Sequence, residues 1–196
     1  MNKRIVVAGA FVAAALAFVL GRATAGDEMT AQEQAWMELG KPGPEHVEMA
    51  KCAGTWETTM KAFRDPAAPP LESKGTATFR TIMDGRYLVQ DFTGMMPGFG
   101  PFTGMGIEGY DNASKKYWSV WLDSWSTGAM MSWGSKGADA TKLEMSGECN
   151  GPGGQKITMR HVVTQVDADT MHFEMFSPGP DGKECRCMEI VYKRKK

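Results

Sequence analysis

The sequence predicts an all-β protein, a single antiparallel up-and-down β-barrel of about ten strands preceded by one or two short α-helices. From Gly54 onward, apolar and polar residues alternate with the period of two that is typical of half-buried strands. Turn residues such as Asp84-Gly85 recur about every ten positions and link these segments as hairpins. A ten-stranded meander left open would expose its two edge strands and one apolar face. Closure into a barrel pairs the edge strands and encloses the apolar face. A two-sheet sandwich is the alternative fold.

Residues 87–133 form the most apolar part of the predicted sheet. Few charged residues interrupt this stretch, and glycines separate its aromatic and methionine-rich runs. Glycines within strands fit the sharp bends that barrel closure requires. The stretch contains Gly104, Gly106 and Gly109, and four of the six tryptophans: Trp118, Trp121, Trp125 and Trp133.

The first 25 residues have the pattern of a secretory signal peptide. Lys3 and Arg4 precede an apolar run over residues 5–20, and Ala23-Thr24-Ala25 forms a small-x-small cleavage site. The run is shorter than the roughly 20 residues that a membrane-spanning helix needs. We therefore expect a bacterial protein that is periplasmic or secreted and has no stable membrane insertion after cleavage. An uncleaved membrane anchor is the alternative.

The domain organisation follows from these patterns. Residues 1–25 are the predicted signal peptide, residues 26–52 an N-terminal helical segment, and residues 53–196 the barrel domain. Apolar residues at helical spacing predict an amphipathic helix ending at Leu39. Pro44 suits the first position of a second short helix.

Charge and motifs exclude several classes of function. The full chain carries a net charge of −1, and loss of the three basic residues of the leader leaves 19 basic and 23 acidic residues, a net charge of −4. Such a chain does not attract nucleic acid by its bulk charge. The sequence has no phosphate-binding loop, dinucleotide fingerprint, Ser-His-Asp order or metalloprotease helix. The sequence therefore identifies no reaction. It favours a binding protein over an enzyme and leaves the question of catalysis open.

Carboxylates of the central strands are the remaining candidates for acid–base chemistry. Asp91, Glu108, Asp111 and Asp123 could supply a carboxylate pair. Asp111 fits better in a Gly-Tyr-Asp-Asn turn, where an aspartate side chain bonds its own backbone.

The alternating pattern also predicts which residues line the barrel. His161 shares an apolar face with Met159 and Val163, where it could ligate haem iron, bind the polar end of a ligand, or be a hydrogen-bonded core histidine. Interior pockets are mostly apolar, so we expect a small hydrophobic molecule as the partner; a barrel filled by its own side chains is the alternative. The predicted ligand-binding residues are Phe79, Met105, Trp121, Met131, Trp133, Met145, Met159 and His161.

Four cysteines leave the disulfide pattern open. An oxidising compartment permits a bridge, and Cys149 could pair with Cys185 or with Cys187. Cys185 and Cys187 are spaced C-x-C with no second pair, which does not fit a zinc site. We expect no metal site and no cofactor, haem being the alternative.

The first barrel strand carries a recognisable motif. Gly54-Thr55-Trp56 resembles the G-x-W signature of lipocalin-like, or calycin, barrels. The resemblance implies that Trp56 closes one barrel end and that a basic residue on the last strand packs on it. Arg194 is that residue here, and a cation–π contact is the physical reason.

A longer resemblance covers most of the mature chain. The ordered runs GTW, GTATFR, DGRYL, FTGMGIEGYD, KKYWSVWLD, MEI and VYKRK resemble a bacterial family known only as a domain of unknown function, DUF1579. The resemblance implies a calycin-like barrel and supplies no activity. The chain resembles nitrobindin-type haem barrels more distantly, which implies the haem alternative with His161 as ligand.

Three functions remain open from the sequence. The protein is a carrier or sensor of a small hydrophobic molecule in the bacterial envelope, a haem barrel, or a structural interaction module with a filled barrel. The oligomeric state is left open.

Overall fold

A computed structural model of the chain describes residues 29–65, 68–179 and 181–196. The predicted signal peptide lies outside the described residues. The elements, in chain order, are α1 (Ala31–Leu39), α2 (Pro44–Ala50), β1 (Gly54–Ala62), β2 (Leu71–Ile82), β3 (Tyr87–Met96), β4 (Gly100–Asp111), β5 (Lys116–Asp123), β6 (Met130–Lys136), β7 (Lys142–Asn150), β8 (Lys156–Asp167), β9 (Thr170–Pro178) and β10 (Glu184–Arg194).

The ten strands form one closed antiparallel barrel. Each strand pairs with its neighbours in sequence, and β1 also pairs with β10, where Trp56 lies opposite Arg194 and Met60 opposite Ile190. Because β1 has β2 on its other side, the described sheet has no free edge. The predicted barrel of about ten strands is therefore confirmed, and the sandwich alternative is wrong.

Helix α1 forms where the sequence predicts a helix. Thr30 caps it: its Oγ1 accepts a hydrogen bond from the backbone N–H of Glu33 at 3.2 Å, and the Glu33 carboxylate accepts one from the N–H of Thr30 at 2.8 Å. The expected apolar face is not buried, however, because Trp36 is 61% exposed and Leu39 is 40% exposed. No described helix is long and apolar enough to cross a membrane.

Helix α2 belongs to the barrel unit. Contacts within the chain divide it after Lys41, so α2 falls in the unit that contains the barrel, which starts at Pro42. Met49 of α2 is buried in a cluster with Tyr117 and Met145. The His46 ring accepts a hydrogen bond from the N–H of Gly43 at 3.0 Å. Helix α2 therefore covers one end of the barrel, the end at which β1 begins.

A cation–π contact closes the same end. The guanidinium of Arg194 lies 4.2 Å from the centre of the Trp56 ring, which confirms the contact expected from the motif. Arg194 also donates hydrogen bonds to the carbonyls of Lys51 at 2.8 Å, Ala53 at 2.7 Å and Ala168 at 3.2 Å. One side chain thus ties the segment before β1 to the β8–β9 turn.

Gly54 is required by this arrangement. Its φ of +130° is a conformation that side-chain-bearing residues rarely adopt, and a Cβ at this position would lie 2.9 Å from Nη1 of Arg194. The glycine of the G-x-W motif therefore makes room for the arginine that stacks on the tryptophan.

Two glycines of β4 leave space for tryptophan rings. A Cβ on Gly104 would lie 2.2 Å from the Trp121 ring inside the barrel, and one on Gly109 would lie 2.6 Å from the Trp118 ring outside it. The aromatic rings of β5 therefore lie over glycine backbone on both faces of the neighbouring strand.

Candidate functional site in the barrel interior

The strand registers identify the inner face of the barrel, because directly paired residues point to the same side of a sheet. Buried side chains of β1, β2, β3, β4, β9 and β10 fill one sector of the interior. This packed sector contains Trp56, Met60, Ala77, Phe79, Leu88, Phe92, Phe102, Met171, Ile190 and Tyr192.

The opposite sector of the inner face is less completely buried. Its side chains point inward by register, and these residues keep part of their surface accessible. We call this region the accessible sector. It is lined by Glu108, Ser119, Trp121, Met130, Met159, Val163, Phe173, Met175 and Met188.

Five of the eight predicted ligand-binding residues lie on the inner face. Phe79 belongs to the packed sector, and Trp121 and Met159 border the accessible sector. Met145 and His161 are paired with each other across β7 and β8, and both are buried.

The other three predicted residues, Met105, Met131 and Trp133, lie on the outer face, so their assignment to the interior is wrong. Met131 and Trp133 pair with Glu148 and Ser146 and are 50% and 45% exposed. Met105 pairs with Leu122 on the same outer side.

The outer apolar residues form an aromatic ladder rather than a pocket wall. The ring centres of Tyr87 and Trp118 are 5.7 Å apart, and those of Trp118 and Trp133 are 6.4 Å apart. Offset aromatic contacts at these distances are favourable in their own right. The ladder explains why β3, β5 and β6 carry large aromatic residues that do not face the interior.

A row of polar residues crosses the accessible sector. Glu108 of β4 pairs with Ser119 of β5, and Ser119 pairs with Ser132 of β6. Ser132 is fully buried, and its hydroxyl oxygen has no hydrogen-bond partner among the described residues. A buried hydroxyl without a partner carries an energetic cost.

Glu108 is the ionisable group of this row. Its side chain is enclosed by the barrel, and this burial raises the pKa of its carboxyl from 4.5 to about 7. Burial is the only cause, which is consistent with the lack of any ion pair or hydrogen bond to this carboxyl among the described residues. Near neutral pH, Glu108 is therefore divided between its charged and neutral forms.

His161 presents a second polar atom without a partner. The residue is 5% exposed, its ring stacks on Phe173 with ring centres 5.5 Å apart, and its Nδ1 has no hydrogen-bond partner among the described residues. Burial lowers the pKa of His161 from 6.5 to about 4, so the imidazole is neutral at physiological pH. One alternative expected from the sequence was a core histidine with its hydrogen bonds made. This does not hold for Nδ1 of His161, which has no partner among the described residues.

Gln90 and Tyr192 extend the polar region to the packed sector. The Gln90 side-chain amide donates a hydrogen bond to the Tyr192 hydroxyl at 3.4 Å. Burial raises the pKa of Tyr192 to about 12, and the charge of Glu108 contributes to the increase. Tyr192, like Glu108, therefore faces the centre of the barrel; neither Gln90 nor Tyr192 was identified from the sequence.

The other candidate carboxylates do not pair with Glu108. Asp111 accepts hydrogen bonds from the N–H groups of Ala113 and Ser114, which confirms its place in a turn. Asp123 accepts from the indole of Trp121 at 3.1 Å and from two backbone N–H groups beyond the end of β5. The described residues contain no group of three His, Cys, Asp or Glu side chains arranged to hold a metal ion.

The four cysteines are free thiols in the structure. Cys149 on β7 and Cys185 on β10 are separated by β8 and β9, that is, by three strand spacings of about 4.8 Å each. A disulfide needs Cα atoms within about 7 Å, so the predicted bridge between them does not fit this barrel. Cys187 lies where the β9–β10 register shifts, with its Sγ 3.4 Å from the carbonyl of Met175.

The barrel end opposite α2 has an exposed aromatic rim. The ring centres of Phe99 and Trp125 are 4.8 Å apart, and the two residues are 63% and 45% exposed. The guanidinium of Arg64 lies 4.1 Å from the centre of the Phe99 ring. This rim borders the end of the barrel that no described helix covers.

The comparison with known families decides the affiliation of the chain. A family model described as "Protein of unknown function (DUF1579)" matches residues 41–194. The chain belongs to the DUF1579 family. This match begins before α2 and ends with Arg194, so it includes the helix and all ten strands of the DUF1579 barrel. No curated protein matches the chain.

Solved structures support the fold of this DUF1579 protein. The crystal structure of Rv2717c from M. tuberculosis is similar, with a TM-score of 0.58 and 12% identity, and the match covers 80% of this chain and 100% of that one. A redesigned β-barrel has a TM-score of 0.38 at 15% identity, covering 76% and 95% of the two chains. EF1p2_mFAP2b bound to DFHBI has a TM-score of 0.39 at 12% identity, covering 76% and 97%. At these identities, the similarity to Rv2717c establishes the fold alone.

Proposed function

We propose that this DUF1579 protein binds a small, largely apolar molecule with one polar group in the accessible sector of its barrel. The observation that carries the proposal is that the inner face holds buried polar atoms without partners among the described residues, Ser132 Oγ and His161 Nδ1 among them. Native proteins rarely leave such atoms unsatisfied, and a ligand's polar group would satisfy them.

The apolar lining supports the same proposal. Trp121, Phe173 and several methionines border the accessible sector, and methionine adapts to irregular shapes because its side chain is flexible and polarisable. The packed sector fills one side of the barrel and α2 covers one end, while no described α-helix covers the opposite end. We place this carrier or sensor outside the cytoplasm, as the leader pattern predicts. Sequencing the mature N-terminus tests the location, with Gly26 expected as the first residue.

Filling the accessible sector is expected to weaken binding. In the variant Met159→Trp, a larger ring occupies the space beside Met159, and we expect the affinity for the neutral dye Nile red to fall roughly tenfold. The measurement is a fluorescence titration of purified protein. Met131→Trp is the matched control, because Met131 lies outside the barrel and is 50% exposed. Equal affinities of the two variants, or no dye uptake by the unmodified protein, would overturn the proposal.

Haem is the second candidate for the interior. It is favoured by the neutral imidazole of His161 on the inner face, since a neutral histidine is a common axial ligand of haem iron. Titration with haem should then give a Soret band that shifts in His161→Ala and not in His172→Ala. His172 lies on β9 with its side chain on the outer face, opposite Val191 and Thr164. An unchanged haem spectrum on adding protein would exclude this candidate.

A further inference from the structure

Glu108 is a half-buried carboxylate on the inner face, without a counter-charge among the described residues. Charged side chains of the barrel exterior have partners: Arg160 binds Glu184 at 2.7 Å, and Arg186 binds Glu174 at 2.8 Å. Glu108 has no such partner among the described residues, although its side chain is enclosed. An enclosed charge without a partner costs free energy, which a ligand of opposite charge would recover.

The groups that face Glu108 do not supply that opposite charge. Ser119 is its neighbour across the strands, and Tyr192 and Cys52 are close enough for the Glu108 charge to raise their pKa values. His161 is neutral at physiological pH. Lys136, the basic residue that shares the inner face, binds Glu48 of α2 at 2.6 Å instead.

The inner face also carries two polar atoms without partners that can accept hydrogen bonds, and they lie on strands other than that of Glu108. The neutral His161 ring offers a lone pair on one nitrogen, and the hydroxyl oxygen of Ser132 accepts as well as donates. A protonated amine carries several N–H donors and one positive charge, and it matches a carboxylate with neighbouring acceptors. A carboxylate ligand would instead meet the charge of Glu108 and be repelled.

We propose that the interior ligand is a protonated amine with an apolar body, whose ammonium group binds Glu108 and whose hydrocarbon or aromatic part lies against Trp121, Phe173 and the methionines of the accessible sector. This inference rests on the proposed function and adds the chemical class of the ligand. A neutral ligand that accepts a hydrogen bond from protonated Glu108 is the competing possibility, and the experiment separates the two.

Three eight-carbon probes test the charge preference. Octylamine, octanol and octanoate share one apolar body, and their affinities are measured by isothermal titration calorimetry at about pH 8, where Glu108 is largely ionised. We expect octylamine to bind roughly tenfold or more tightly than octanol, and octanoate to bind most weakly. Lowering the pH to about 5 should reduce the octylamine affinity toward that of octanol, because Glu108 becomes protonated.

Two variants assign the effect to Glu108. In Glu108→Gln, which keeps the shape of the side chain, octylamine affinity should fall to the octanol value while octanol affinity stays unchanged. Glu57→Gln is the matched control on the exposed outer face of β1, and it should change neither affinity. Thermal unfolding of each variant checks that it is folded.

The outcomes separate the two proposals. If none of the probes binds, the proposed function fails and this inference fails with it. If octanol binds as tightly as octylamine, or if Glu108→Gln leaves octylamine affinity unchanged, the barrel binds small molecules but the amine assignment is wrong. Octanoate as the tightest probe would likewise overturn the assignment.

Discussion

Replacing Trp56 by alanine is expected to lower the free energy of unfolding by about 3–5 kcal/mol, the usual cost of deleting a large aromatic side chain from a core. Trp56 is fully buried, its ring packs edge-on against Phe79 at 6.4 Å, and Arg194 lies over it at 4.2 Å. Its indole N–H donates to the carbonyl of Cys52 at 2.9 Å. The variant loses all of these interactions and leaves a cavity at the end of the barrel that Arg194 closes.

The matched control is Trp133→Ala. Trp133 is 45% exposed on the outer face, where its principal aromatic contact is Trp118. Exposed substitutions have small effects, so we expect a loss of less than about 1 kcal/mol. Equilibrium urea unfolding followed by far-ultraviolet circular dichroism measures both variants without relying on tryptophan fluorescence. Similar losses in the two variants would contradict the orientation of β6.

Barrel closure was predictable because it depends on a repeated pattern. Each strand alternates in polarity, so a shift of one residue in any hairpin would turn that strand's apolar side chains outward. The pairing of Trp56 with Arg194 was predictable for a different reason, because the Gly-x-Trp run resembles the calycin signature, which implies a basic residue of the last strand packed on the tryptophan. Each of these predictions depends on several residues that all fit the same arrangement.

The orientation of β6 was not predictable from polarity. Its sequence places large apolar residues at Met131 and Trp133, but the structure turns Ser132 and Gly134 inward. Crowding explains the glycine, because a Cβ on Gly134 would lie 1.9 Å from the carbonyl oxygen of Glu144. The contact with Trp118 in the aromatic ladder stabilises Trp133 on the outer face. A strand can therefore carry its larger apolar residues on the solvent-exposed face.

The sequence also did not indicate that Glu108 lies on the inner face without a basic partner. The inner face of β4 carries Gly104 and Gly106 before Glu108, whereas the outer face carries Met105 and Ile107. Polarity alone therefore indicates the opposite orientation for this strand. Only the registers with β3 and β5, fixed by the whole barrel, place the carboxylate inside and away from any base.

Replacing Glu108 by glutamine is expected to change how stability depends on pH. In the folded state the pKa of Glu108 is about 7, above the ordinary value of 4.5, so its protonated form is favoured by folding. Its stabilising contribution is complete below pH 4.5 and is lost as the pH rises through about 7. His161 acts in the opposite direction: its pKa falls from 6.5 to about 4, so its contribution is complete above pH 6.5 and is lost as the pH falls through about 4.

The two contributions oppose each other over the same range of pH, and each amounts to at most about 3 kcal/mol. The unmodified protein should therefore show a nearly flat contribution from this pair between about pH 4.5 and pH 7. In Glu108→Gln the His161 contribution is unopposed, so the free energy of unfolding relative to the unmodified protein should rise by about 1–3 kcal/mol across that range. Urea unfolding at a series of pH values measures it, with Glu57→Gln as the exposed control. A difference that stays constant with pH would mean that the Glu108 carboxyl titrates as it does in water, and the barrel would then leave that carboxyl hydrated rather than enclosed.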